Sequence, residues 1–166
     1  MKKKHGIHLH VNINNLNKII KKDERENDGV KRTFHQLETY ISALEKFVET
    51  YGGMCNVEKF TTSRLHFYFC GDEEHILSIA CCETVAYALE AAKHVSTIGK
   101  YKNLPVFEIG AGADVGYFVE FEYEDSENDL TEMTTIGSPA NRAAKLQSVC
   151  VDEGETILVS NQLYNT

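Results

Sequence analysis

Strand and helix signals alternate along these 166 residues in the order βαββαββαβ, which predicts an α+β domain built on one sheet. Three observations carry the prediction. Leu65, Phe67 and Phe69 alternate with polar or less apolar neighbours, as one face of a strand does; Val30, Phe34, Leu37, Ile41, Leu44 and Val48 recur at helical spacing. A third signal is the turn at Gly137 that opens into a helix through Ser138 and Pro139.

Taken in order, a first strand spans about 6 to 14, and the charged segment from Lys18 to Gly29 reads as an extended loop or short helix. The amphipathic helix from Val30 ends at Gly52-Gly53. Cys55 to Thr61 and Leu65 to Cys70 form a hairpin, and about Asp72 to Thr97 forms a long helix rich in Ala, Ile and Leu. Pro105 marks the loop after it. Two strands follow, about 106 to 113 and 115 to 123, with Gly116 suited to the turn between them. Ser138 is a good N-cap and Pro139 fits the first helical position, so a helix starts there and sets Asn141 and Lys145 side by side at i and i+4. Glu155 to Ser160 reads as a last short strand, and Asn161 to Tyr164 as the start of a helix. This order contains the βαββαβ unit of a ferredoxin-like sheet.

Length and composition bound the function. One domain covering residues 1–166 is expected from this chain length. Net charge is −8 and no basic stripe interleaves with aromatics, which argues against nucleic-acid binding. Lys2, Lys3 and Lys4 precede His5, His8, His10 and Asn12 rather than an apolar run, and no run of about 18 apolar residues follows, so a cytoplasmic domain without membrane insertion is expected. Five cysteines, with Cys81 and Cys82 adjacent, form no disulfide framework and read as reduced thiols. His5, His8 and His10 read as a polar strand face near a flexible terminus, with a metal site as the alternative. The seven carboxylates from Glu120 to Glu132 read as a solvated hairpin tip, with Mg²⁺ or Ca²⁺ binding as the alternative.

The segment from Ile136 to Leu146, followed by Glu155-Thr156-Ile157-Leu158-Val159-Ser160, resembles "G-x-x-V-N-x-A-A-R-L … G-E-I-L-V-S" of the class III adenylate and guanylate cyclases, which close nucleoside triphosphates into cyclic nucleotides. Three further segments resemble that family in the same order. Gly110 to Val119 looks like its "R-I-G-I-H-T-G-E-V-V". Lys59 and Phe69, ten residues apart behind Gly52-Gly53, look like its "K-T-I-G-D-x-x-x-x-x-F". Ile7 to Ile13 sits where its first strand ends in "F-x-D-I".

The resemblance implies a class III cyclase fold and assigns roles residue by residue. Asn141 and Lys145 take the positions that steady the ribose and the transition-state phosphate, with Lys145 where the family usually has arginine. Lys59 takes the purine-selecting lysine position and Thr134 its partner's, a pair that suits adenine; the other reading of Lys59 is a solvent-facing strand residue beside Glu58. The two metal-aspartate positions fall on Asn12 and Ser63. Neutral side chains are poor partners for Mg²⁺, which needs hard anionic oxygens.

Family members work as dimers that share each active site, so the resemblance implies a homodimer or a metal-bearing cyclase-domain partner. It leads to a cyclase-homology module that is inactive alone, binds no metal cofactor, and serves dimerisation or adenine-nucleotide sensing. The alternatives are a divergent active cyclase using Mg²⁺ or Mn²⁺ and a complementary half of a heterodimeric cyclase. The family's last strands, with a further phosphate-binding lysine, are not in this sequence, which is expected to be excised from a longer chain.

Overall fold

The structure is a computed structural model and describes residues 2–25, 28–57, 63–97, 104–125 and 130–166. Strand β1 (Lys2–Ile13) is followed by helices α1 (Leu16–Asp23) and α2 (Gly29–Thr50). Strands β2 (Met54–Val57) and β3 (Arg64–Cys70) lead to helix α3 (Glu74–His94). Then come β4 (Ile109–Asp125), β5 (Leu130–Ile136), α4 (Ser138–Asp152), β6 (Ile157–Val159) and α5 (Asn161–Tyr164).

The sheet order is β2-β3-β1-β4-β5, antiparallel throughout, and β6 adds parallel to β4. The ferredoxin-like core is therefore β1, α2, β2, β3, α3 and β4, as the element order predicts. Strand side chains alternate between faces, so the register defines two surfaces. On one, Ile7, Leu9, Val11 and Ile13 of β1 join Leu65, Phe67 and Phe69 of β3 and Ala111, Ala113 and Val115 of β4. These pack in one buried cluster with Tyr40, Leu44 and Val48 of α2 and Leu77, Ala80, Val85 and Ala88 of α3. At about 1.5–3 kcal/mol for each large apolar side chain removed from water, this layer supplies most of the drive to fold.

The opposite face carries His8, His10 and Asn12 of β1, Arg64, His66 and Tyr68 of β3, and Asp114 of β4, and α4 lies across it. Gly112 makes that close approach possible. A Cβ there would lie 2.2 Å from the Gln147 nitrogen and 2.3 Å from the Ala143 carbonyl oxygen.

Several elements differ from the sequence expectation. Gly116 is not a turn: β4 continues through it, and the strand reversal comes later, before β5. Its φ is +155°, and a Cβ would lie 2.9 Å from Cγ of Pro139, so glycine admits the first turn of α4 against the strand. Ser138 is the first helical residue rather than the cap; Gly137 precedes the helix, which has no side-chain cap. The buried stripe of α2 is Thr33, Gln36, Tyr40, Leu44 and Val48, and Val30 and Phe34 are exposed, because the stripe is rotated at the start of the helix. The segment after β1 is helical as α1, joined to α2 by a Thr33 hydroxyl that donates to the buried Asp23 carboxylate. By length and composition α3 could cross a membrane, with a mean hydropathy of 1.2 over its most apolar window. Its Leu77, Ala80, Val85, Ala88 and Ala92 are nonetheless buried in the cluster above, as in a core helix.

Candidate functional site

The polar face under α4 holds a cluster of buried titratable groups. His8, His10 and His66 are all buried, and register sets His10 opposite His66. Nδ1 of His8 lies 2.8 Å from Nε2 of His66, so one of these nitrogens carries the proton and the other accepts it. The His10 and His66 rings stack 4.4 Å apart, and Phe118 presents its ring perpendicular to His8. Burial lowers the pKa of His8 and His10 to about 3 and of His66 to about 4, with mutual repulsion adding for the first two. The trio is neutral near pH 7. His5 stands outside it, near Glu74 at 3.3 Å. The polar strand face expected from the sequence is thus an interior stack, because α4 covers it. Among the described residues no group of three His, Cys, Asp or Glu side chains is placed to hold a metal ion.

Beside the stack, Asp114 is fully buried opposite His8, and its Oδ2 accepts a 2.5 Å hydrogen bond from Nε of Arg142. Arg142 follows Asn141 on α4, so this ion pair fixes the helix over the sheet. Asn141 and Lys145 themselves point outward and are exposed. Helical spacing also puts Ser148 on their side of α4, one turn beyond Lys145.

At the end of β1, the structure brings Asn12 and Ser63 together. The Ser63 hydroxyl donates to Oδ1 of Asn12 at 2.5 Å, and the Asn12 amide donates to Oδ1 of Asn14 at 2.9 Å. The Ile13 N–H donates to the Ser63 carbonyl at 2.9 Å, closing the two strands around the pair. Arg64 lies opposite Asn12 in register, and its Nη2 is 3.4 Å from the Ser148 hydroxyl on α4. Its positive charge adds to burial and His66 in lowering the pKa of His10.

Thr134 is half-buried on strand β5, opposite Phe121 of β4, and β5 leads directly into α4. Lys59 lies outside the described residues, between β2 and β3. Away from this face, a cavity of about 650 Å³ is lined by Glu38, Ser42, Lys46, Phe47 and Tyr87 of α2 and α3. It touches none of the residues above.

No family model matches this chain, and no curated protein does. Solved structures do, over almost its full length. The chain has the fold of the class III nucleotide cyclase domains. The adenylyl cyclase CyaB from P. aeruginosa superposes with a TM-score of 0.77 at 19% identity, covering 99% of this chain and 80% of that one. A bacterial light-regulated adenylyl cyclase gives 0.76 at 16% identity, covering 99% of this chain but 45% of that one, so this chain spans less than half of that protein's length. A class III adenylyl cyclase-like ATP-binding protein from Pseudomonas aeruginosa gives 0.66 at 22% identity, covering 98% of this chain and 34% of that one. Guanylyl cyclases match as well.

Sequence reasoning missed Asp114, Arg142, His66 and Arg64. Asp114 carried a usable signal: a carboxylate amid Ala, Gly and Val in a strand that is apolar on both sides needs a partner, and an arginine beside Asn141 is one candidate. Arg64 carried none, because a lone arginine after a turn is usually solvated.

Proposed function

We propose that this chain is a cyclase-homology domain that binds an adenine nucleotide as one half of a dimeric site and makes no cyclic nucleotide by itself. The observation that carries this reading is the Asn12–Ser63 hydrogen bond at the place where the resemblance puts two metal aspartates. Mg²⁺ and Mn²⁺ chemistry at such a site requires anionic oxygen ligands that offset the ion's charge and lower the pKa of an attacking hydroxyl. Here the two side chains are neutral, the Ser63 hydroxyl donates to Asn12, and the residue opposite Asn12 in register is Arg64. These residues do not fit a divalent cation.

The rest of the site suits nucleotide binding. Asn141 and Lys145 stand exposed on α4, where an amide and a cation can meet ribose and phosphate. Lys59 and Thr134 are assigned to the base by the resemblance. A similar solved structure is described as a class III adenylyl cyclase-like ATP-binding protein, which is consistent with binding as the retained property. Exposed apolar side chains on β4, β5 and α4, namely Tyr117, Ile136 and Val149, suit a dimer surface.

Incubation with ATP or GTP and Mg²⁺ or Mn²⁺ should yield no cyclic nucleotide, whereas calorimetry should detect ATP binding. Sustained product formation would overturn the reading in favour of a divergent active cyclase. A second reading, a complementary half that activates a metal-bearing cyclase domain, is favoured by the exposure of Asn141 and Lys145. Product formation only on mixing with such a domain would establish it.

A further inference from the structure

At the neutral end of β1 one charge stands out. The protein carries a net charge of −8, and several of its cations sit beside carboxylates: Arg142 with Asp114, Lys4 with Glu120 and Lys93 with Glu90. Among the described residues no carboxylate pairs with Arg64. Its Nη2 lies 3.4 Å from the Ser148 hydroxyl, and Asn12 stands opposite it in the strand register. It is partly buried, and the side chains around it, Asn12, Ser63 and the neutral His10, offer no compensating negative charge.

A half-buried guanidinium surrounded by neutral dipoles keeps most of its field, because neither a counter-ion nor full hydration screens it. Its planar fork also matches the paired oxygens of a phosphate. Asn12 and Ser63 give the surroundings an uncharged floor: the Ser63 hydroxyl donates to Asn12 Oδ1 and the Asn12 amide to Asn14, so the Asn12 carbonyl oxygen is already engaged and does not compete with an anion for the guanidinium.

We propose that Arg64 makes this end of the sheet a metal-independent phosphate-binding half-site, in which a fixed guanidinium holds the polyphosphate of a nucleotide without a divalent cation. The proposal rests on the reading of the chain as a nucleotide-binding domain and adds the ionic form of the ligand it takes. A free nucleoside polyphosphate binds with its negative charge uncompensated, so Mg²⁺, by neutralising the ligand, competes with Arg64 for the same oxygens.

The test is calorimetric titration of the intact chain with ATP and with adenosine, in EDTA and in excess Mg²⁺, using wild type, Arg64→Gln and Arg64→Lys. ATP should bind wild type in EDTA at least as tightly as in Mg²⁺. Arg64→Gln should lose about tenfold or more of the EDTA affinity, while Arg64→Lys keeps most of it and adenosine binding is unchanged in both. ATP binding that requires Mg²⁺, or that Arg64→Gln leaves intact, overturns the proposal and leaves the nucleotide reading standing. Failure of wild type to bind either ATP or adenosine overturns both. If Arg64→Gln fails to fold by circular dichroism, the metal dependence of wild type and the Arg64→Lys affinity decide the matter.

Discussion

Arg142 reaches from α4 to the sheet and places its Nε 2.5 Å from the carboxylate of Asp114, a side chain with no solvent exposure. One charged contact thereby joins the helix that carries Asn141 and Lys145 to the middle of β4. Removing only the arginine leaves a buried carboxylate without its partner, the costly half of breaking an ion pair. Because Arg142 is 47% exposed, water compensates part of that loss. Arg142→Ala should destabilise the protein by about 2 kcal/mol in urea denaturation. The double variant Arg142→Ala with Asp114→Asn should recover part of this, since the uncompensated charge is gone. Additive losses in the double variant would mean that the two side chains act separately.

The buried histidine stack sets an acid limit on stability. His8 and His10 have folded pKa values of about 3 and His66 of about 4, below the ordinary 6.5. The unfolded chain therefore binds more protons than the folded one between these values and pH 6.5. Stability is fully present above pH 6.5 and falls as pH drops toward 4, by up to about 1.4 kcal/mol per pH unit for each histidine. Urea midpoints measured from pH 7.5 down to 4.5 should decline along this slope, and His66→Phe should make the decline shallower. A flat profile across that range would place the histidines in solvent.

Gly112 tests how closely α4 sits on the sheet. A methyl group there meets backbone atoms of Gln147 and Ala143 at 2.2 and 2.3 Å, and backbone cannot rotate away as a side chain can. Gly112→Ala should cost about 3 kcal/mol, at the upper end of overpacking effects, and should loosen the helix carrying Asn141. Gly52→Ala is the control: a Cβ at Gly52 meets nothing within 4 Å, and only its φ of +67° opposes the change. It should cost about 1 kcal/mol. Equal losses at the two positions would show that contact with α4 contributes nothing.

The apolar face of the sheet was legible because alternation is a local signal: Leu65, Phe67 and Phe69 announce the buried side of β3 without reference to any other element. The polar face was not. His8 and His10 alternate in the same way, yet their burial depends on a helix more than a hundred residues away and on the two glycines that admit it. Glycine misled at Gly116 for a related reason, since it serves a turn and a close approach equally well, and only the position of Pro139 separates the two. Asn12, Ser63 and Thr134 were proposed for the site by resemblance to a motif, and Asn141 and Lys145 by that resemblance together with their helical spacing. Arg64 and Arg142 fall where that motif has no fixed residue, so only the folded geometry could select them.

The resemblance assigns Lys59 and Thr134 to the base, and the proposed base preference rests on that assignment. A lysine facing adenine N1 with a hydroxyl near the N6 amino group favours ATP over GTP. Without a metal, affinity should be on the order of 0.1 to 1 mM. Lys59→Glu should shift preference toward GTP, because a carboxylate accepts from guanine N1 and N2 donors. Ligand-observed NMR with both nucleotides checks this, and equal binding that ignores Lys59→Glu would remove the lysine from the site.

Restoring carboxylates at the end of β1 tests the assignment of Asn12 and Ser63 to the metal positions. In the structure these side chains already touch, so aspartates at both positions would face each other across a gap of hydrogen-bond size. Two such carboxylates repel unless a cation or a shared proton lies between them, which is the condition that draws a divalent ion in. Asn12→Asp with Ser63→Asp should therefore bind Mn²⁺ measurably by calorimetry, where wild type does not. Adding Arg64→Gln should tighten that binding further, because the guanidinium beside the pair repels the ion that the new carboxylates attract. Absence of Mn²⁺ binding in both the double and the triple variant, with folding intact, would show that these positions do not form a metal site and would remove the register on which the comparison with metal-bearing cyclases rests.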